Sequence, residues 1–265
     1  MWRDSMLRAA FAALFLAALA ATPAQADAEA DALIRQMEDQ TRAETNVATY
    51  RMQVVRPGDD SREFLMRSWD DRAGGRSFIH ILEPRRDADT TFLKVEGNLW
   101  MYLPRLERDI KIPPAMMLNS WMGSDFTNDD LVRESSAIDD YSSTILAREP
   151  GPDGTELVTI ESVPHPDAPV VWGKVVLQIR SDGIPVRQQF FDEDGELVRT
   201  MTFEDVAVLG GRTLPTRMIM VPEDEEGHAT ILIIGDATFD EPIPDEIFPR
   251  ANLSHLRKRI EKISR

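Results

Sequence analysis

The chain has 265 residues, a net charge of −16 at neutral pH and no cysteine. The missing thiols exclude disulfide bonds, thiolate catalysis and cysteine-based metal sites, and we expect no lipid anchor on an N-terminal cysteine. The acidic balance argues against nucleic-acid partners and against general adhesion to anionic membranes, because both carry negative charge. An apolar core must therefore provide the stability of the protein.

The N-terminus has the three parts of a secretory signal peptide. Arg3 and Arg8 form a charged start, residues 9–21 form an apolar run, and a small-residue triplet ends at Ala26. The run is too short to cross a bilayer, which takes roughly 20 residues. We expect cleavage after Ala26, which removes the signal peptide at residues 1–26 and leaves a soluble periplasmic protein.

A helix is predicted directly after the cleavage site. From Asp27 to about Glu44, the apolar side chains recur at helical spacing and charged residues fill the other faces. This pattern predicts an amphipathic helix with one buried stripe. The stripe consists of Ala30, Leu33, Ile34, Met37 and Thr41.

Strand signals dominate from there to about residue 240. Runs with alternating polarity are separated by turn residues such as Glu96-Gly97-Asn98 and Asp182-Gly183, which favours hairpins over crossover helices. We therefore predict one antiparallel meander of roughly eleven to thirteen strands. The predicted strands are Thr49–Arg56, Arg62–Trp69, Ser77–Leu82, Thr91–Val95, Leu99–Leu103, Tyr141–Arg148, Glu156–Val163, Lys174–Arg180, Val186–Phe191, Leu197–Leu209, Thr213–Val221 and His228–Phe239.

Two segments depart from the meander. Pro113–Leu131 is rich in Met and Trp and is typical of a short helix followed by a loop. Asn252–Ser264 has apolar residues at helical spacing and predicts a terminal amphipathic helix. We find no linker and no strong internal repeat, so we expect residues 27–265 to form a single domain.

The outer face of the terminal helix is basic on an otherwise acidic protein. This contrast indicates a contact with an acidic partner or, transiently, with an anionic membrane. The alternative is that the helix only caps the sheet while its charges stay in solvent. The predicted contact residues are Arg257, Lys258, Arg259 and Lys262.

Catalytic and metal-binding patterns are not recognisable in the sequence. The four histidines form no motif, and Asp192–Gly195 lacks the alternating ligands of a calcium loop. Adjacent acids such as Asp129-Asp130 are expected in solvated loops. We therefore expect no enzyme activity, no metal and no cofactor, although two carboxylates brought together by folding stay an alternative.

Soft apolar side chains are the most conspicuous feature. Methionine adapts to variable apolar partners and is frequent at promiscuous binding surfaces, but it is also common in cores. We expect these residues to line an apolar cavity or its lid, with plain core as the alternative. They are Met52, Met66, Trp69, Trp100, Tyr102, Met116, Met117, Trp121, Met122, Phe126, Met201, Phe203, Met218 and Met220.

Two strings carry a resemblance to a known family. They are W-M-Y-L-P at residues 100–104 and W-M-G-S-D-F-T-N-D-D-L at residues 121–131, and Ile247-Phe248 before the basic terminus agrees with them. The chain resembles the outer-membrane lipoprotein-sorting proteins of the LolA/LolB-like superfamily. The resemblance implies a half-closed antiparallel β-barrel around an apolar cavity, covered by a helical lid.

The resemblance also implies a function. The expected role is a non-enzymatic periplasmic carrier that moves lipids or acylated lipoproteins between the inner and outer membranes. The partner would be an inner-membrane transporter of the resistance-nodulation-division type or the ABC type. Two alternatives stay open, namely a lipid-sensing regulatory module of the same fold and a lipid-modifying enzyme.

Overall fold

The computed structural model describes residues 23–58, 61–132 and 140–254. The fold is mostly β, with 53% strand and few helices, as predicted. Helix α1 spans Pro23–Thr41 and helix α2 spans Asn128–Val132. Within these ranges, the protein has no helix of the length and apolarity needed to cross a membrane.

In the part of the chain that the structure describes, thirteen strands form one antiparallel sheet. Twelve were predicted, mostly to within a few residues, and β6 was missed because its four residues are too few for an alternation to show. The strands are β1 Thr45–Val55, β2 Arg62–Asp71, β3 Arg76–Glu83, β4 Thr91–Val95, β5 Asn98–Leu103, β6 Arg108–Lys111, β7 Tyr141–Pro150, β8 Glu156–Pro164, β9 Lys174–Arg180, β10 Pro185–Phe191, β11 Leu197–Leu209, β12 Arg212–Pro222 and β13 Ala229–Phe239.

The strand order is β6-β5-β4-β3-β2-β1-β13-β12-β11-β10-β9-β8-β7. Nearly every neighbour pair is a hairpin, and among the described strands only the pairing of β1 with β13 joins distant parts of the chain. The turn between β4 and β5 shows why these hairpins are tight. Its central residues, Glu96 and Gly97, have φ values of 51° and 69°, which match the twist of the flanking strands.

Helix α1 packs against the second half of the sheet. Its predicted buried stripe is confirmed, because Ala30 and Ile34 are fully buried against a cluster that includes Val158 and Ile160. The helix ends at Thr41, whose hydroxyl donates to the carbonyl oxygen of Met37 at 2.7 Å. The predicted cleavage position lies inside α1, and residues 1–22 lie outside the described part of the chain.

The first half of the sheet is apolar on both faces. One face carries Met52 and Phe64 and packs against residues 113–131, which we call the inner segment. The opposite face carries Trp69 and Phe78 and packs against residues 243–253. We call these the pocket face and the outer face.

The C-terminal part of the chain is bound to the outer face up to Leu253. Short 3-10 turns at Asp245–Ile247 and Arg250–Asn252 present Ile247, Phe248 and Leu253 to the sheet. The predicted terminal helix would continue from here. Its four predicted contact residues, Arg257, Lys258, Arg259 and Lys262, lie outside the described residues, so that prediction stays untested.

Candidate functional site: an apolar pocket beneath a clamped segment

A pocket of about 490 Å³ lies on the pocket face, beneath the inner segment and α1. Its lining comes from α1, from the inner segment and from the half of the sheet that runs β1-β13-β12-β11-β10-β9-β8-β7. The lining is mainly apolar, with a small group of charged residues. The predicted residues that line it are Met52, Trp121, Phe126, Met201, Phe203, Met218 and Met220.

Cross-strand registration explains the methionine-rich floor. Met201 on β11 pairs with Met220 on β12, and Phe203 pairs with Met218. Met218 is in turn opposite Leu232 on β13. Because opposite residues of an antiparallel pair point to the same face, these side chains form adjacent rows. The rows produce a continuous, deformable apolar surface.

The other predicted residues lie elsewhere. Met66, Met117 and Met122 belong to the core between the inner segment and the first half of the sheet, and Met116 is exposed. Three more lie on the outer face, away from the pocket. These are Trp69, Trp100 and Tyr102, which pack in the cluster of Ile247, Phe248 and Leu253.

The inner segment folds as two short turns joined by a hairpin-like bridge. It contains a 3-10 turn at Pro114–Met116, a bridge between Ser120 and Thr127, and then α2. The start of α2 is a capping box, because Thr127 Oγ1 accepts from the N–H of Asp130 and the Asp130 carboxylate accepts from the N–H of Thr127. The helix and loop predicted for Pro113–Leu131 are thus present.

Asp125 clamps the inner segment onto the sheet. Its carboxylate accepts hydrogen bonds from Arg56 at 2.9 and 3.2 Å and from the Thr230 hydroxyl at 2.6 Å. Arg56 also donates to the carbonyl oxygen of Gly123 at 2.8 Å. The Asp125 side chain is only 4% exposed, so the ion pair is shielded from solvent.

Arg199 forms a second clamp from β11. Its guanidinium donates to both carboxylate oxygens of Asp130, at 2.6 and 2.8 Å, and to the carbonyl oxygen of Asp125 at 3.2 Å. The same group lies 4.6 Å from the ring centroids of both Trp172 and Phe190, which are typical cation–π distances. The inner segment is therefore fixed by charge as well as by apolar packing.

These contacts correct the expectation for Asp129-Asp130. The pair was expected in a solvated loop, but Asp129 is 6% exposed and Asp130 is paired with a buried arginine. Sequence reasoning missed Arg199 entirely. One signal was present, since Arg199 falls on the same strand face as Met201 and Phe203 and is a charge within an apolar row.

Gly123 is the point where the inner segment passes closest to an arginine. Its φ is +74°, and an added Cβ would lie 1.9 Å from Nη2 of Arg62, which donates to the carbonyl oxygen of Met122. We expect Gly123→Ala to lower the free energy of unfolding by about 1–3 kcal/mol, from backbone strain and from displacement of Arg62. Chemical denaturation measures this change.

Gly195 provides the matched control. It has a similar φ of +83° in the turn before β11, but nothing lies within 4 Å of an added Cβ. Gly195→Ala should therefore show only the backbone strain, about 1 kcal/mol. Equal losses in the two variants would show that the Arg62 contact places no constraint on Gly123.

A cluster of possible metal ligands lies beside the first clamp. One donor atom each from Asp125, Glu225 and His228 lies within 4.8 Å of the others. Both carboxylate oxygens of Asp125 already accept hydrogen bonds, and a cation there would adjoin the Arg56 guanidinium. We therefore assign no metal to this cluster.

Two acids with a lowered pKa lie outside the pocket. Burial acts against ionisation of Asp71, but hydrogen bonds from the Gly74 N–H at 2.9 Å and from Arg76 at 2.7 Å lower its pKa overall. A hydrogen bond from Arg212 lowers the pKa of Asp240. These carboxylates stabilise turns and ion pairs near the end of β2 and after β13.

Solved structures of other proteins share the fold of this chain. A domain named for outer membrane lipoprotein sorting from Vibrio parahaemolyticus is 22% identical with a TM-score of 0.73, covering 86% of this chain and 100% of its own. A LolA superfamily protein from Nitrosomonas europaea is 20% identical with a TM-score of 0.68, covering 84% and 98%. The predicted resemblance to LolA-like lipoprotein-sorting proteins is confirmed at the level of the fold.

The family follows from a second comparison. A family model described as that of an uncharacterized protein matches residues 74–255, well over half of the chain, so the chain belongs to this family. A DUF1329 family protein from Desulfovibrio piger is 20% identical with a TM-score of 0.76, covering 86% of this chain and 99% of its own. No curated protein matches the chain.

Proposed function

We propose that this protein is a non-enzymatic periplasmic carrier that binds acyl chains of lipids or lipoproteins in the pocket. The observation that carries the proposal is the lining of the pocket. Its floor consists of methionine, phenylalanine and leucine side chains from the three neighbouring strands β11, β12 and β13. The volume of about 490 Å³ falls within the range of about 300–1,000 Å³ usual for small-molecule sites.

The sheet order supports a half-barrel around this pocket. Met52 on β1 and Tyr141 on β7 both contribute to the lining, although seven strand spacings separate β1 from β7. At about 4.8 Å per spacing, a flat sheet would place these strands roughly 34 Å apart. A curved sheet brings them to one pocket, and the inner segment with α1 then covers it as a lid.

The energetic need for a carrier is large. Each methylene exposed to water costs about 0.8 kcal/mol, so an acyl chain of roughly 16 carbons costs on the order of 12 kcal/mol in the periplasm. Methionine rows offset this cost without discriminating strongly between chains, because unbranched side chains adapt to different shapes. The proposed carrier would collect its cargo from an inner-membrane transporter of the resistance-nodulation-division or ABC type and deliver it to the outer membrane.

A charge in the pocket floor tests the proposal. Met218 lies in the centre of the rows, so Met218→Glu places a carboxylate where the acyl chain would lie. Burying such a charge against hydrocarbon is unfavourable, and we expect the affinity for a fluorescent fatty acid to fall by about ten-fold or more. Fluorescence titration of the purified protein measures this affinity.

The same strand supplies a control. Val221 is 39% exposed and points to the opposite face of β12, so Val221→Glu should bind the probe like the wild type. If Met218→Glu bound the probe as tightly as the wild type, the acyl chain would not bind in this pocket.

Native mass spectrometry of protein from the periplasm distinguishes a carrier from a sensor, because a carrier retains lipid whereas a sensor retains a stable protein partner.

A further inference from the structure

The volume of the pocket sets how much hydrocarbon it can hold. An apolar protein cavity of about 150 Å³ takes one benzene molecule, which corresponds to about 25 Å³ per carbon atom. At this packing, the pocket of about 490 Å³ has room for roughly 20 carbons. One acyl chain of about 16 carbons fits into this room, whereas two such chains do not.

The inner segment fills the space that a second chain would need. It packs on the pocket face of the first half of the sheet, in a cluster where Phe64, Phe92 and Leu99 are buried. The Trp121 ring of the inner segment lies edge-on against Phe92, with centroids 5.5 Å apart. This part of the sheet is therefore covered by the protein's own side chains, and the pocket lies over the other half.

Phe126 is the wall between the filled space and the pocket. It packs against the cluster of the first half and against the cluster beneath α1, and it lines the pocket. Its backbone is held within the inner segment. The Phe126 carbonyl oxygen accepts from the Trp121 N–H at 2.7 Å, and the Phe126 N–H donates to Ser124 Oγ at 3.2 Å. The position of the ring is thus set by the fold.

Both elements that cover the pocket are fixed to the sheet. The inner segment is held by the two clamps described above. The C-terminal end of α1 is held by β12, because the Gln40 side chain donates to the carbonyl oxygen of Thr213 at 2.9 Å. Arg212 also donates to the carbonyl oxygen of Asp39 at 2.7 Å. Widening the pocket for a second chain requires breaking such contacts.

We propose, building on the carrier function above, that the pocket holds one acyl chain and that the cargo is a lipid with a single chain, such as a lysophospholipid. A diacyl phospholipid or a multiply acylated lipoprotein would leave the additional chains in water, where their methylenes stay unfavourably exposed. The inner segment then selects the cargo as well as covering it.

A chain-length series measures the capacity of the pocket. Lysophosphatidylcholines with saturated chains of increasing length are used to displace a fluorescent acyl probe from the wild-type protein. Each additional buried methylene should tighten binding by about four-fold. We expect the affinity to level off at about 20 carbons, where the pocket is full. A rise that continued to about 26 carbons would contradict the single-chain capacity.

Native mass spectrometry measures the number of chains directly. The protein is equilibrated with palmitoyl lysophosphatidylcholine or with dipalmitoyl phosphatidylcholine in the same detergent. We expect one lysolipid per protein and at least about ten-fold lower occupancy by the diacyl lipid. Equal occupancy by the two lipids would show that a second chain finds room, and it would overturn the proposal.

Phe126→Ala opens the pocket toward the first half of the sheet. The variant removes the six carbons of the ring, so we expect the affinity to level off at chains longer by up to about six carbons. Phe248→Ala is the matched control, because it removes the same ring from the outer face and should leave the series unchanged. An unchanged series in folded Phe126→Ala would show that the inner segment does not limit the chain.

The outcomes distinguish this inference from the proposed function. A series that does not level off, or retention of the diacyl lipid, overturns the single-chain cargo and leaves the acyl carrier intact. If neither the probe nor any lysolipid binds, both proposals fail. The chain-length series is measured on the wild-type protein, so its result does not depend on the folding of any variant.

Discussion

Replacing Asp125 with alanine is expected to lower the free energy of unfolding by about 3–5 kcal/mol. The substitution leaves the Arg56 guanidinium, whose side chain is 16% exposed, without its carboxylate partner. It also removes the acceptor of the Thr230 hydroxyl, and Thr230 is fully buried. Loss of one partner from a buried pair is costly because the remaining charge is desolvated and uncompensated. Urea denaturation measures the change.

A surface pair on the neighbouring strands provides the control. Arg51 and Glu63 form an ion pair across β1 and β2, with side chains 45% and 48% exposed. Glu63→Ala should cost less than about 1 kcal/mol, because solvent and salt screen exposed pairs. If Asp125→Ala were as mild as Glu63→Ala, Asp125 would not be a clamp and the inner segment would be held by apolar packing alone.

The same variant should loosen the inner segment locally. Amide hydrogen exchange is expected to accelerate for residues 113–131 before it accelerates in β8 and β9, since local opening requires less free energy than global unfolding. This pattern would identify Asp125 as one of the contacts that govern opening of the pocket. Uniform acceleration across the sheet would instead make it a contributor to global stability only.

The second large effect is expected on the outer face. Phe248 is 3% exposed in the cluster of Trp69, Phe78 and Leu93, and the Arg76 guanidinium lies 4.4 Å from its ring centroid. Phe248→Ala should lower the free energy of unfolding by about 3–5 kcal/mol, the usual cost of a buried Phe-to-Ala cavity. Thermal and chemical denaturation both report it.

This variant also tests whether a change on the outer face of the sheet affects acyl binding on the pocket face. Under conditions where Phe248→Ala is still folded, acyl binding should match the wild type, because the residue lies across the sheet from the pocket. Val208→Ala, at a side chain that is 73% exposed, should change stability by less than about 0.5 kcal/mol. Weakened acyl binding by folded Phe248→Ala would show that the outer face and the pocket are coupled.

The strands of the sheet could be predicted from the local sequence pattern because most neighbouring strands are joined by hairpin turns. Alternation and turn residues predicted twelve strands, and α1 was recognisable from the spacing of Ala30, Ile34 and Met37. Neighbours in sequence became neighbours in space almost throughout. The long-range pairing of β1 with β13 had no such signal, since nothing in either strand specifies a partner so distant in the chain.

The sequence by itself also determined which residues are apolar, but the tertiary structure decided which of them surround the pocket. Period-two alternation shows that Trp100 and Met101 lie on different faces, yet it does not say which face is covered by which segment. Both faces are apolar here because the inner segment covers one and residues 243–253 cover the other. The outer tryptophans and Met52 therefore look alike in sequence.

The two clamps, Arg56 with Asp125 and Arg199 with Asp130, could not be predicted from local sequence because their partners meet only in the folded protein. Arg199 and Asp130 are 69 residues apart, and Arg56 and Asp125 are equally distant. In the sequence, each of these charged residues looks like an ordinary solvated surface residue. Folding removes water from both partners of a pair at the same time. The sequence thus determined the strands and their apolar rows, whereas long-range burial decided which charges hold the inner segment over them.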